Sequence, residues 1–198
     1  MAEKKEYRSA VRSRRLIRQA FLELLQEKPF GKITITDIVT RADLNRSTFY
    51  AHYPDIHGVV EEIQDEIERR NMELIEQMQY RNILRDPMPY LQGITAILQE
   101  NIELLRRLGH TEFLHNRLDK FRRLMVTDIL EHSSLPKELR QSESFAIHVH
   151  FFIGGIMNTY QQWAEGMLDC SLEEISGEIA KLIQASGEAL MKENGISL

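Results

Sequence analysis

Apolar residues recur every three to four positions along nearly the whole chain, and no stretch shows the strict alternation of a half-buried strand. Ile17, Phe21, Leu24 and Leu25 share one face of a first helix, about 8–27, which Pro29 and Gly31 end. Thr34 followed by Asp37 has the spacing of a capping box, with Asp in place of the usual Glu. It opens a short helix, about 35–41, that carries Ile35, Ile38 and Val39. Ala42, Asp43 and Leu44 make a tight turn, and Asn45 is a good N-cap for a second short helix, about 46–52. Pro54 stops that helix and Asp55 can cap the next one.

Longer helices follow. Val59, Val60, Ile63, Ile67 and Leu74 predict one over roughly 55–80. Pro87 and Pro89 mark a break, after which Leu91, Ile94, Leu98, Ile102 and Leu105 predict a single helix ending at Gly109. Leu114, Leu118, Phe121, Met125 and Ile129 place another over 111–131, and "HSSLPKEL" reads as a loop. A helix from about 138 to 165 holds Phe145, Val149, Phe152, Ile156, Tyr160 and Trp163, with Gly166 as its stop. "SLEE" at 171–174 is a capping box for a last helix, near 171–192, with Ile175, Ile179, Leu182 and Ile183. The expected fold class is all-α. A three-helix N-terminal domain with a helix-turn-helix, 1–53, is fused to a larger helical bundle, 54–198.

Charge sharpens that division. Residues 1–53 hold 11 Lys and Arg against 6 Asp and Glu, a net of +5, whereas residues 54–198 hold 14 against 24, a net of -10. A basic head on an acidic body directs any polyanion to the head. The plainer reading is a local excess in one helix, at Arg12, Arg14, Arg15 and Arg18. Nothing approaches ~18 consecutive apolar residues, so no membrane span is expected. The basic N-terminus lacks the uninterrupted apolar run of a signal peptide, because Arg18, Gln19 and Glu23 break it. The single cysteine, Cys170, fits a cytoplasmic location.

In a helix-turn-helix that binds DNA, the second helix enters the major groove. Its first residues here are Asn45, Arg46, Ser47 and Thr48, all short-range hydrogen-bond donors, and Tyr50, His52 and Tyr53 add donors near its end. Phe49 is expected to face inward. Hydroxyls also gather at helix N-termini for capping alone, so the pattern by itself leaves DNA binding open.

The run "ITITDIVTRADLNRSTFYAHYPD" resembles the signature of TetR-type (TetR/AcrR) transcriptional regulators, with matches at Thr34, Ile38, Ala42, Thr48, Phe49, Tyr50, His52, Tyr53 and Asp55. The match covers roughly residues 10–63. "FFIGGIMNTYQQWAEG" and "CSLEEIS" look like the C-terminal regulatory domain of one TetR subgroup. In three places the chain departs from the family pattern. Asp43 stands where a turn glycine is usual, Asn45 replaces the capping Ser, and Ile56 replaces a phosphate-contacting Lys.

The resemblance implies a homodimeric DNA-binding regulator, usually a repressor, acting on a near-palindromic operator in double-stranded DNA. Arg46 is the candidate for base readout, since Arg pairs bidentately with guanine. Ser47 and Thr48 are placed on bases or phosphates, and Thr36, Tyr50, His52 and Tyr53 on the DNA backbone. The last two helices are expected to form a four-helix bundle with those of a second copy, through Phe152, Gly155, Ile156, Ile175, Ile179 and Ile183. A small-molecule inducer is a family-level expectation. Phe113, Met125, His148, Met157, Tyr160 and Trp163 suit the lining of an apolar cavity, and equally suit plain core.

Metal and enzyme readings are weak. Glu112 and His115 have the Glu-x-x-His spacing of di-iron bundles, but no second copy of it exists. His148 and His150 project to opposite sides of a helix. Cys170 beside Ser171 admits a redox role but suits a small buried residue better. No nucleophile elbow, phosphate loop or zinc-protease motif occurs, so neither an enzyme nor a cofactor is expected. The alternative to a DNA-binding regulator is an interaction protein of the same fold, a co-activator that pairs with another protein. Asp43 and Ile56 keep that alternative open.

Overall fold

The computed structural model describes residues 2–108 and 111–195, with side chains from Ser9 onward. All regular structure among these residues is helical. No helix is long and apolar enough to cross a membrane. The chain divides into two compact units, Met1–Glu68 and Arg69–Leu198.

The first unit begins with α1 (Ala2–Glu27), a 3-10 turn (Phe30–Lys32), α2 (Ile35–Arg41) and α3 (Arg46–Tyr50), and ends in the early turns of α4 (Ile56–Met78). Ile17, Phe21 and Leu25 of α1, Ile38 of α2 and Phe49 of α3 are fully buried. Burial of one such side chain stabilises by about 1.5–3 kcal/mol, and a five-residue helix like α3 has little else to hold it. Val59, Val60 and Ile63 of α4 are also fully buried, and Tyr53 and Arg18 both reach Glu62. The compact head therefore extends to Glu68, past residue 53, where the charge balance changes.

The second unit holds the rest of α4 with α5 (Tyr80–Arg85), α6 (Met88–Glu100), α7 (Ile102–Leu108), α8 (Glu112–Thr127), α9 (Lys137–Arg140), α10 (Glu143–Ala164) and α11 (Leu172–Glu193). A π-helical turn, Asp128–His132, extends α8. Helix α11 packs against α5, α6 and α10 and buries Leu172, Ile175, Ile179, Ile183 and Leu190. Glycine eases close approach at two points. A Cβ on Gly93 would lie 2.8 Å from the Leu74 side chain, and one on Gly187 would lie 3.3 Å from the Leu84 carbonyl oxygen. The hydroxyls of Thr95 and Tyr160 both meet Ser176 Oγ, at 2.9 and 3.0 Å, so these buried groups satisfy one another.

The helix expected over roughly 55–80 forms as α4 and is followed by a short helix that was not expected, α5, whereas the helix expected to end at Gly109 is interrupted. Gln79 has φ +58° and separates α4 from α5. Asn101 separates α6 from α7, with its side-chain amide donating to the Ile97 carbonyl at 2.8 Å. Such local bonds compete with helix continuation. The expected loop "HSSLPKEL" contains α9, where the Arg140 guanidinium donates to the carbonyls of Leu130 and Leu135. Ser142 then caps α10, so the helix expected from 138 begins at Glu143. Gly109, the expected stop before α8, lies outside the described residues.

Candidate nucleic-acid interface

The α2–α3 turn is held by caps at both helix starts. Thr34 Oγ1 accepts the Asp37 N–H at 3.1 Å, and the Asp37 carboxylate accepts the Thr34 N–H at 2.8 Å, a reciprocal capping box. Lys28 Nζ lies 2.7 Å from the same carboxylate. Its hydrogen bond, followed by those of Thr34, holds the Asp37 carboxyl down to about 2. Asp43 turns the chain with φ +52°, the left-handed conformation that usually favours glycine. At the start of α3, Asn45 Oδ1 accepts from Thr48 N–H (2.7 Å), Ser47 Oγ (2.6 Å) and Thr48 Oγ1 (2.9 Å). Asp55 accepts the Gly58 N–H at 3.1 Å and caps α4.

Because Phe49 points into the core, α3 presents Arg46, Ser47 and Tyr50 outward, with Tyr50 50% exposed. Arg46 Nη1 donates to Thr36 Oγ1 at 3.4 Å, which brings exposed Thr36 of α2 alongside the α3 residues. Thr48 and His52 are half-buried at the edge of this face.

Tyr53 is placed differently from the sequence-based expectation. It is 4% exposed and donates its hydroxyl to Glu62 Oε2 at 2.6 Å. Burial first, and the Glu62 carboxylate second, push its phenol well above the ordinary range. With its ring in the core and its proton committed, Tyr53 holds α3 to α4 and has no hydroxyl to offer a phosphate.

The head's basic side chains fall into two groups. Lys28 pairs with Asp37, Arg41 with Glu23 and Glu27, and Arg18 with Glu62. Arg12, Arg14, Arg15, Lys32 and Arg46 have no carboxylate partner among the described residues, and all five are exposed. Internal pairing thus neutralises much of the head's acid and leaves unpaired guanidinium and ammonium groups. Lys32, the last residue of the 3-10 turn, was not selected from the sequence; its positive charge and the loop signal of Pro29 and Gly31 were the available cues. Ile56 starts α4, and neighbouring His57 packs its ring edge-on to Phe30 at 5.3 Å between centroids.

The other selected residues scatter. Met125 and His148 line a cavity in the second unit, whereas Phe113, Met157, Tyr160 and Trp163 are not in its lining. Tyr160 is buried core bonded to Ser176. The Trp163 indole N–H donates to the Cys170 carbonyl at 2.8 Å and secures the turn after α10, with Arg106 over its ring. Cys170 itself is exposed. Ile175, Ile179 and Ile183 are buried in the chain's own core, with half-buried Phe152 and Ile156 packed against it. Gly155 is exposed. Leu182, one of the apolar positions read along the last helix, is 62% exposed.

Residues 17–63 match the model of the tetR family of bacterial regulatory proteins. The chain is 38% identical over 77 residues to the uncharacterized HTH-type transcriptional regulator YxbF of Bacillus subtilis (strain 168). That alignment covers 38% of this chain and only 20% of the relative's length. Three solved structures share the fold. One is a protein named dihydroxyacetone kinase operon activator DhaS (TM-score 0.63, 18% identity, 89% of this chain and 97% of that one). The second is a putative TetR-family transcriptional regulator from Syntrophomonas wolfei (0.66, 14% identity, 90% and 94%). The third is a TetR transcriptional regulator from Streptococcus agalactiae (0.57, 22% identity, 92% and 99%). The fold and its capped, outward-facing α3 define an all-α helix-turn-helix protein. More narrowly, residues 17–63 of the head carry the N-terminal helix-turn-helix pattern of the tetR family of bacterial regulatory proteins. The members of that family are DNA-binding regulators rather than enzymes.

Proposed function

We propose that the chain is a homodimeric transcriptional repressor that binds a near-palindromic operator and is released by a small molecule. One observation carries the DNA-binding part. Arg46, Ser47 and Tyr50 project together from a helix whose far side is anchored by Phe49, with Thr36 alongside them and unpaired cations on the same unit. Arg46 reads a base, by bidentate pairing with guanine. Ser47, Thr48, Thr36, Tyr50 and His52 position the DNA backbone or reach base edges, and Arg12, Arg14, Arg15 and Lys32 add charge for phosphates. Ser47 and Thr48 donate to Asn45 in the free protein, and a hydroxyl can keep that bond while accepting another, or rotate to a phosphate.

The exposed side of the last two long helices supports the dimer. Ile147 and Phe151 of α10 are 67% and 72% exposed, and Leu182 of α11 joins them in presenting a large apolar group to solvent. Gly154, Gly155 and Gly177 have open space where a side chain would sit, as close helix approach by a second copy requires. The interface is therefore read through Ile147, Phe151, Gly155 and Leu182, while Ile175, Ile179 and Ile183 support it from within.

Selection from a random DNA pool tests the whole reading. Enrichment of an inverted repeat with half-sites about one helical turn (~34 Å) apart supports it. A pool that stays random after successive rounds contradicts it. Placing the enriched site over a reporter promoter then reads repression directly.

A further inference from the structure

Arg46 and Thr36 meet across the helix-turn-helix. Thr36 lies in the first turn of α2, Arg46 opens α3, and Arg46 Nη1 donates to Thr36 Oγ1 at 3.4 Å. The two are ten positions apart in sequence, so the contact depends on the turn that joins the helices. Asp43 at φ +52° shapes that turn, and the Leu44 N–H closes it by donating to the Val39 carbonyl at 2.9 Å.

Capping claims neither side chain. Thr34 and Asp37 cap α2, and Asn45 caps α3 by accepting from the Thr48 N–H and from the hydroxyls of Ser47 and Thr48. The Thr36 hydroxyl is therefore open to Arg46, on a β-branched side chain with few rotamers. It is also a neutral partner. Arg41, Arg18 and Lys28 of the same unit face carboxylates, which compete with a polyanion for their charge. A hydroxyl orients a guanidinium without neutralising it.

The donor and acceptor counts fit a double role. A guanidinium carries five N–H donors in a planar fork. With one of them on Thr36, the edge formed by Nε and Nη2 is left for a bidentate acceptor such as O6 and N7 of guanine. A threonine hydroxyl has one proton and two lone pairs. While it accepts from Arg46, its own proton can go to a phosphate oxygen.

We propose that Thr36 is a positioning residue for base readout. It accepts from Arg46, donates to a DNA phosphate, and so sets the guanidinium in register with the duplex backbone. A long arginine side chain loses rotamer freedom when it binds, and ordering it beforehand removes part of that cost. The saving applies only to the base that the held geometry meets, so it appears as discrimination. The inference deepens the DNA-binding reading and rests on it for its purpose.

Two measurements test it, the first on the full-length protein without DNA. Nitrogen relaxation of the Arg46 Nε–H group, assigned by its loss in Arg46→Ala, reads the order of the side chain. Thr36→Val keeps the shape without the hydroxyl and should lower that order, whereas Thr36→Ser should keep it. Order that Thr36→Val leaves unchanged overturns the proposal. The second measurement compares duplexes that differ at the base pair where Arg46→Ala loses discrimination. Thr36→Val should cut discrimination there by roughly two- to tenfold, spare the other positions, and add nothing in the Arg46→Ala background. Thr36→Ser should retain it. A uniform loss at all positions, repeated in full in the Arg46→Ala background, makes Thr36 a phosphate contact alone and overturns the proposal. If Thr36→Val disorders Arg46 in a chain that selects no operator, the DNA-binding reading fails and the readout role falls with it. If an operator is selected while order and discrimination stay unchanged, only the role of Thr36 is lost.

Discussion

The Tyr53 hydroxyl donates to the Glu62 carboxylate at 2.6 Å, and this bond ties the end of the α3 segment to the first turns of α4. The contact is partly buried, and Arg18 reaches the other oxygen of Glu62 at 3.9 Å. Tyr53→Phe keeps the ring and removes the bond. A hydrogen bond to a charged group contributes about 1.5–3 kcal/mol, so urea unfolding should show a loss of that order. Operator affinity, measured where the variant is fully folded, should stay within about twofold of the parent. A larger fall in affinity would return Tyr53 to the DNA contacts.

Arg46→Ala and Tyr50→Ala act on the opposite side of α3. Each should weaken operator binding, with Arg46→Ala losing about 1–3 kcal/mol of discrimination at one base position. Both residues are exposed, so melting temperature and oligomeric state should not move. Competition against single-base operator variants checks the base assignment.

Asp43 sits at φ +52° in the turn. A left-handed residue with a side chain costs roughly 1–2 kcal/mol, less for Asp. Asp43→Gly removes that strain and adds unfolded-chain entropy, for a net gain of about 0.5 kcal/mol in chemical denaturation. A loss of stability would mean that the Asp43 side chain contributes more than the backbone costs.

The local caps were legible in the sequence because each is contained within four residues. Thr34 with Asp37, Asn45 with Thr48, and Ser171 with Glu174 all form as their spacing requires. Phe49 was legible too, since a helix as short as α3 must bury its one large apolar side chain. Gln79 and Asn101 were not, because neither residue type forces a helix to break and tertiary packing selects those conformations. Tyr53 carries both an apolar ring and a polar tip, so its pattern fits core and surface alike. Helix α11 has apolar residues on more than one face. Periodicity finds Ile175, Ile179 and Ile183 as readily as Leu182, and only the fold separates own core from open surface.

The exposed apolar side chains of α10 and α11 predict their own test. Phe151→Glu combined with Leu182→Glu places charges on the proposed interface without touching the buried core. Sedimentation should show the parent as a dimer and the double variant as a folded monomer with weakened operator binding. A double variant that remains a dimer places the interface elsewhere.

Acid should release the α2 cap. The Asp37 carboxyl falls to about 2 in the folded chain from an ordinary 3.8, chiefly through the Lys28 hydrogen bond. A depressed folded value stabilises fully above the unfolded value and is lost as pH falls through the folded one. The stability difference between the parent and Asp37→Asn should therefore be steady near neutrality and shrink between about pH 4 and pH 2. A difference that persists unchanged at the acid end would show that the charge of Asp37 is not what the cap uses.

The central claim is that the head binds DNA in a sequence-selective way. Fluorescence anisotropy of the full-length protein, with a duplex from upstream of its own gene, tests it most directly. The titration is run with scrambled competitor at two salt concentrations. The account predicts tight, competitor-resistant binding by a dimer that weakens steeply with salt, by about 0.9 in logarithmic slope for each phosphate neutralised. Weak binding, equal for the upstream and scrambled duplexes and joined by a random result in pool selection, would contradict it and favour a protein partner instead.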